Sequence, residues 1–123
     1  MYRIQTLNKI AAIGLDKMTR DIYEIASELN SPDGILVRSA DMQNTKFESN
    51  LLAIGRAGAG VNNIPVDRCT EHGVVVFNTP GANANAVKEL AILSLLLASR
   101  KIVQGIEYCR ALNEKGKVLT DLI

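Results

Sequence analysis

Tyr2-Arg3-Ile4-Gln5-Thr6-Leu7 alternates apolar and polar side chains, the two-residue period of a half-buried strand, and predicts a first strand there. Gly14 to Thr19 reads as a loop with a short helical turn. Tyr23 to Leu29 reads two ways: Glu24, Ala26 and Glu28 suit a helix, while the spacing of Tyr23 and Ile25 suits a strand at Tyr23–Ala26, the reading adopted. Ser31-Pro32-Asp33-Gly34 is a turn. Ile35-Leu36-Val37 is a short buried strand ending in Arg38-Ser39. Asp41 to Asn50 is polar, with a helical turn expected near Thr45–Ser49. A strand at Leu51–Ile54 then meets a glycine cluster, Gly55, Gly58 and Gly60. A short helix follows, with Pro65 in its first turn, where a missing N–H does no harm, Asp67 suited to the positive end of the dipole, and Gly73 as its stop. Val74–Phe77 is the next strand, closed by Asn78-Thr79-Pro80-Gly81. From Ala86 the pattern becomes one helix to about Glu114, capped by Asn83 or Asn85 and ended by Gly116. Ala86–Ala98 is apolar on nearly every face, which predicts burial on all sides, between layers, domains or subunits.

Leu51 to Phe77 is thus strand, helix, strand: a βαβ unit of a parallel sheet. Such sheets place ligands in the loops at the C-terminal ends of their strands. Gly58–Asn63 and Asn78–Asn85 are loops of that kind.

Composition narrows the function. A length of 123 residues bounds the chain to one domain at most, long enough for a hydrophobic core. A hydrophobic content of 47% excludes a disordered chain. Fourteen basic and 13 acidic residues leave a net charge of +1, which gives no field for nucleic acid or membrane. Aromatics at 4% are too few for base stacking. Cys69 and Cys109, without CxxC spacing, read as free thiols of a reducing, cytoplasmic setting. The N-terminus lacks the apolar run of a signal peptide, and Leu90–Ala98 is far shorter than the ~20 residues that span a bilayer.

Gly58-Ala59-Gly60 resembles the opening of a GxGxxG dinucleotide fingerprint, but Asn63 stands at the third glycine position. The acidic ribose ligand expected some twenty residues on is replaced by Gly81 and Ala82. Two readings stay open: exposed backbone N–H groups forming an anion-binding nest, or a tight turn that needs glycine for positive φ. Arg38 is either a planar fork for carboxylate or phosphate or a solvated surface residue. His72, just before Gly73, reads as a dipole-compensating residue at a helix end. There is no Ser/His/Asp set, no metal-ligand cluster and no second histidine to serve as a base.

The segments YRIQTLNKI, ILVRS and RAGAGVNNIPVDRCTEHGVVVFNTPGANANAVKELAILSLLLASR resemble the D-isomer-specific 2-hydroxyacid dehydrogenases, over essentially the whole chain. The resemblance implies an α/β fold: a flavodoxin-like parallel sheet of the substrate domain, followed by a long helix that crosses to a dinucleotide-binding domain missing from this chain. It divides the chain into a substrate-domain segment, residues 1–85, and a crossover helix with the truncated start of the dinucleotide domain, residues 86–123. It implies substrate contacts from Arg38, Ser39, Gly58, Ala59, Gly60 and Asn83, with Ala59 also approaching the nicotinamide, and it matches Glu89 to an acidic residue of the helix start. Asn62 departs from the pattern, since many members carry Asp there. The cofactor implied is NAD. The substrate is a small 2-hydroxy acid, 3-phosphoglycerate in the branch most resembled, and the assembly a homo-oligomer.

The family's GxGxxG turn and its catalytic Arg, Glu and His are expected beyond Ile123, so no catalytic residue and no metal site is expected in this chain, which by itself should be inactive. Two other functions remain open: a non-catalytic binding or oligomerisation module derived from the family, and a related dehydrogenase with another substrate.

Overall fold

The computed structural model describes residues 1–114. Five strands, β1 (Tyr2–Leu7), β2 (Tyr23–Ala26), β3 (Gly34–Val37), β4 (Ala53–Arg56) and β5 (Val75–Phe77), form one sheet in the order β2-β1-β3-β4-β5. Every neighbouring pair is parallel. This is the strand order of flavodoxin-like sheets. Helix α1 (Ala12–Leu15) lies between β1 and β2 in sequence, and α2 (Val66–Glu71) between β4 and β5. The chain forms two compact units, Met1–Asn83 and a second from Ala84 onward.

Register decides where the core lies, because side chains paired across parallel strands share a face. Gln5, Ile35, Ile54 and Val76 are in register, as are Leu7, Val37 and Arg56. Ile35, Val37 and Ile54 of this face are buried together with Met42, Leu51, Ile64, Cys69 and Val74. Ile54 is wholly enclosed, so Ile54→Ala would open a cavity at a cost of about 2–5 kcal/mol. On the opposite face Ile4 and Leu36 are half-buried, and Val75 and Phe77 are exposed.

The strands at Tyr2–Leu7 and Tyr23–Ala26 fall where the pattern puts them. The fourth does not. It runs Ala53–Arg56 and not Leu51–Ile54, because pairing of Gly34 with Ala53 and of Val37 with Arg56 sets its ends. Leu51 reaches the core from the preceding loop, and Gly55 and Arg56 belong to the strand and not to the glycine loop.

Helix α2 follows expectation. Pro65 is its N-cap, His72 its C-cap, and Gly73 leaves with φ +68°, a left-handed value that favours glycine. No helical turn forms at Thr45–Ser49. That segment is held from outside by Arg68, whose Nη1 and Nη2 donate to the carbonyls of Gln43 (2.6 Å) and Thr45 (2.8 Å).

In the second unit the single long helix expected is two, α3 (Ala84–Arg100) and α4 (Ile102–Glu114). Lys101, at φ +51°, breaks the run between them. Asn85 is inside α3, bonding Glu89 and Lys88, so it is no cap. α3 has no buried residue, and Leu90 and Leu95 are 63% and 71% exposed, so the faces whose apolar pattern calls for a covering layer, domain or subunit are uncovered among the described residues. The apolar pattern was read correctly, but nothing among the described residues encloses it. The stop expected at Gly116 lies outside the described residues.

Candidate functional site

A parallel sheet delivers the C-terminal ends of its strands to one edge. Here that edge carries the residues after β1, β3, β4 and β5, and three asparagine side chains stitch the four loops together. Asn8, left-handed at φ 78°, turns its Oδ1 to accept the N–H groups of Arg38 (3.2 Å), Ser39 (2.9 Å) and Ala40 (2.8 Å). Asn63 Nδ2 donates to the Ala40 carbonyl at 2.8 Å, and the Asn63 carbonyl accepts the Met42 N–H at 2.9 Å. Asn78 Nδ2 donates to the Ala59 carbonyl at 2.8 Å, while the Thr79 N–H reaches the Gly58 carbonyl at 3.0 Å. Asn63 and Asn78 are legible in the sequence only as loop residues, and Asn8 was passed over. An Asn directly after a strand, tolerant of left-handed φ, was the available signal for Asn8.

The expected substrate residues divide on this frame. Arg38, Ser39, Gly58 and Ala59 are in the stitched loops. The N–H groups of Arg38 and Ser39 are occupied by Asn8, and both residues are exposed. Ala59 and Gly60 are exposed, and their N–H groups have no partner among the described residues. Asn83 is apart, in the turn just before α3, and no side-chain bond ties it to the stitched edge among the described residues.

Neither Gly58 nor Gly60 has positive φ, so the reading of a turn that needs left-handed glycine is wrong. The loop also lacks the alternating hands of one kind of nest; what it offers is a turn with free N–H groups. Glycine at 58 leaves space for a neighbouring side chain. A Cβ there would sit 2.6 Å from Nη1 of Arg56, and one at 60 would sit 3.6 Å from the same nitrogen. Arg56, which the sequence reading passed over, thus packs its guanidinium against this loop.

The loop does not fit a dinucleotide pyrophosphate. The fingerprint needs a helix opening straight from the glycines, but α2 begins only at Val66, has six residues, and is preceded by a proline with no N–H to offer. No cluster of His, Cys, Asp or Glu suited to a metal occurs among the described residues, and no helix there is long and apolar enough to cross a membrane. His72 is structural: its Nδ1 lies 2.8 Å from the Arg68 carbonyl and its ring meets Phe47 edge-on. Burial pushes the Cys69 thiol up, whereas Cys109 is exposed. Both are free thiols.

The fold and this edge define an open parallel α/β sheet with its loops gathered at the strand C-termini. The chain belongs to the D-isomer specific 2-hydroxyacid dehydrogenase family, whose catalytic domain it matches over residues 2–120. It is 42% identical over 85 residues to the D-3-phosphoglycerate dehydrogenase of Archaeoglobus fulgidus, covering 67% of this chain and 16% of that one. With the enzyme of the same name from Bacillus subtilis it shares 33% identity over 119 residues, covering 85% and 22%. The chain therefore spans about a fifth of the length of these relatives. Among solved structures, the NAD+-bound 3-phosphoglycerate dehydrogenase of Entamoeba histolytica superposes with a TM-score of 0.59 at 25% identity, over 78% of this chain and 38% of that one. The NADPH-dependent glyoxylate/hydroxypyruvate reductase of Sinorhizobium meliloti, in complex with NADP and malonate, gives 0.67 at 23% identity over 95% and 41%, a likeness of fold.

Proposed function

We propose that this chain is the N-terminal part of the substrate domain of an NAD-dependent D-3-phosphoglycerate dehydrogenase, the oxidation of 3-phosphoglycerate to 3-phosphohydroxypyruvate that leads toward serine in the cytoplasm. The single observation that carries the reading is the edge where Asn8, Asn63 and Asn78 hold four strand-end loops in one arrangement. A preorganised edge with free N–H groups on Ala59 and Gly60 suits a carboxylate. Arg38 and Ser39 present their side chains beside it, and Gly58 gives the loop its close path. Ala59 is where the nicotinamide would approach, and Asn83, before α3, is the hinge contact. When bound, NAD supplies the hydride acceptor; this chain's own residues orient the acid. The segment from Ala84 starts the passage to the dinucleotide domain, and the complete enzyme is a homo-oligomer.

The 123 residues hold neither a dinucleotide fingerprint nor an orientable acid–base pair, so the chain by itself turns over nothing. Two measurements test the reading. Titration of 3-phosphoglycerate should shift the amide resonances of Ala59 and Gly60, and Arg38→Ala should weaken that binding by about 10- to 150-fold, the worth of ~1.5–3 kcal/mol for a charge-assisted contact. Unmoved amides at 59 and 60 would remove the substrate edge. Reduction of NAD by the pure chain with 3-phosphoglycerate would remove the inactivity.

A second reading, a binding or oligomerisation module derived from the family, is favoured by the exposed apolar side chains of α3. It requires concentration-dependent association in sedimentation that is lost on Leu90→Lys with Leu95→Lys.

A further inference from the structure

The crossover from β2 to β3 has no helix. In the order β2-β1-β3 the chain must pass over β1, and it does so in seven residues, 27–33, none of them helical. Parallel strands are usually joined by a dozen or more residues that include a helix, which covers the sheet. Here a thin strap stands in its place. Gln5 Nε2 donates to the Ser27 carbonyl at 3.1 Å, and Asn50 Nδ2 to the Ser31 carbonyl at 2.7 Å, which pins the strap at two points. Between it and residues 45–51 lies a cavity of about 260 Å³. Leu29, Pro32, Ile35 and Leu51 give it apolar walls. It sits at the entries of β3 and β4, whereas the stitched loops are at the strand exits.

The polar groups of the cavity select its ligand. Gln5 is a polar side chain on the core face, in register with Ile35 and Ile54. Its Nε2 is engaged by the strap, while its Oε1 has no donor among the described residues. Lys46 and Glu48 both line the cavity, and Phe47 between them packs against the core. That is the alternation of extended chain, and it sets one cation and one anion on the same rim. Among the described residues the ion pair is Arg3–Glu24, so Lys46 and Glu48 do not neutralise each other. Ser31, also on the rim, holds φ 53°, a left-handed value uncommon outside glycine. A simple anion would be opposed by Glu48 and a simple cation by Lys46, whereas a zwitterion satisfies both. Sites for drug-sized ligands run to roughly 300–1,000 Å³, so the occupant here is small. We propose that this cavity binds a small α-amino acid as its zwitterion, with the carboxylate toward Lys46 and the ammonium toward Glu48 and Gln5 Oε1. The site does not rest on the dehydrogenase reading and shares no residue with the substrate edge.

Titration of the chain with L-alanine, followed by NMR, tests the site. The amides of Ser31 and Thr45, on the two sides of the cavity, should shift in a saturable way. Acetate and ethylamine each carry one of the two charges and should bind about tenfold more weakly. Lys46→Gln and Glu48→Gln should each weaken L-alanine binding by about threefold or more, a modest factor because exposed charges are screened. Both side chains are exposed and make no hydrogen bond among the described residues, so both variants should fold as the wild type does. 3-Phosphoglycerate should not displace L-alanine. Amides at 31 and 45 that stay unmoved, acetate or ethylamine that binds as tightly as L-alanine, unchanged binding by both variants, or displacement by 3-phosphoglycerate overturns the proposal. Failure of 3-phosphoglycerate to bind the chain at all counts only against the dehydrogenase reading.

Discussion

The Asn8 side-chain oxygen accepts the N–H of Ser39 at 2.9 Å, and so joins the exit of β1 to the exit of β3. The same oxygen takes the N–H groups of Arg38 and Ala40. Two properties of Asn8 are separable by substitution. Asn8→Gly keeps the left-handed backbone and loses the clamp; Asn8→Ala loses both. Asn8→Ala should therefore be less stable than Asn8→Gly by about 1 kcal/mol, the order of the left-handed penalty for a residue with Cβ. Both should loosen the 38–40 loop, seen as faster amide exchange at Ser39 and Ala40. Equal stability of the two variants would mean that φ at position 8 carries no strain.

Gly73 and Gly58 are glycines for different reasons, and the difference is measurable. Nothing lies within 4 Å of a Cβ at Gly73, but its φ is +68°. Gly73→Ala should cost about 1 kcal/mol, and Gly73→Asn less, since Asn visits the left-handed region readily. At Gly58 the obstacle is the Arg56 guanidinium, the end of a flexible side chain. Gly58→Ala should therefore cost little stability but displace Arg56, and a following Arg56→Ala should relieve the clash. Denaturant midpoints of the two single variants and the double variant decide the matter. A cost at Gly58 that Arg56→Ala leaves unchanged would show that backbone, and not the guanidinium, excludes Cβ there.

Asp33 gives the fold an acid-sensitive joint. Its Oδ2 accepts the Arg3 N–H at 2.8 Å and its Oδ1 accepts Asn50 Nδ2 at 3.3 Å. The Arg3 backbone donor first, and then Asn50, hold its carboxyl below the usual 3.8. A carboxylate favoured in the folded state stabilises it fully above the unfolded value, and that contribution is lost as pH falls through the folded value. The stability gap between wild type and Asp33→Asn should be constant above about pH 5, shrink as pH falls past 3.8, and close once pH drops below the lowered folded value, on the acid side alone. Denaturation curves at a series of pH values should show it. A gap that persists unchanged into strong acid would mean that the carboxylate charge is not what Asp33 contributes.

The alternation in Tyr2–Leu7 and the helix punctuation of Pro65 and Gly73 were legible because local rules decide those residues. The ends of β4 were not, since they depend on which residues of β3 lie opposite, a non-local fact. The break at Lys101 was hidden for another reason: the residue is a good helix former, and no glycine or proline marks the interruption. The glycine loop was found with two readings left open, and neither named the constraint at Gly58, which answers to a side chain that folds back from Arg56. The three asparagines were hidden among ordinary loop residues, since what they do depends on the partner loops the sheet brings to them.

Arg68 explains why Asp41–Asn50 stays in place without a helix. Its two Nη atoms hold the carbonyls of Gln43 and Thr45, and its guanidinium carbon lies 5.1 Å from the Phe47 ring centroid. The arginine thus staples a polar segment to α2, while Phe47 packs against the core. A lysine keeps the charge but cannot serve two carbonyls with fixed geometry. Arg68→Lys should cost about 1 kcal/mol and Arg68→Ala about 2–3 kcal/mol, within the range for charged hydrogen bonds plus a ring contact. The loss should also be local. The Thr45 amide, which donates to the Met42 carbonyl at 3.0 Å, should exchange faster in both variants, and the β1–β2 pairing should keep its protection. If Thr45 exchange stays at the wild-type rate in Arg68→Ala, the segment is held by Phe47 and Met42 packing, and the staple is incidental.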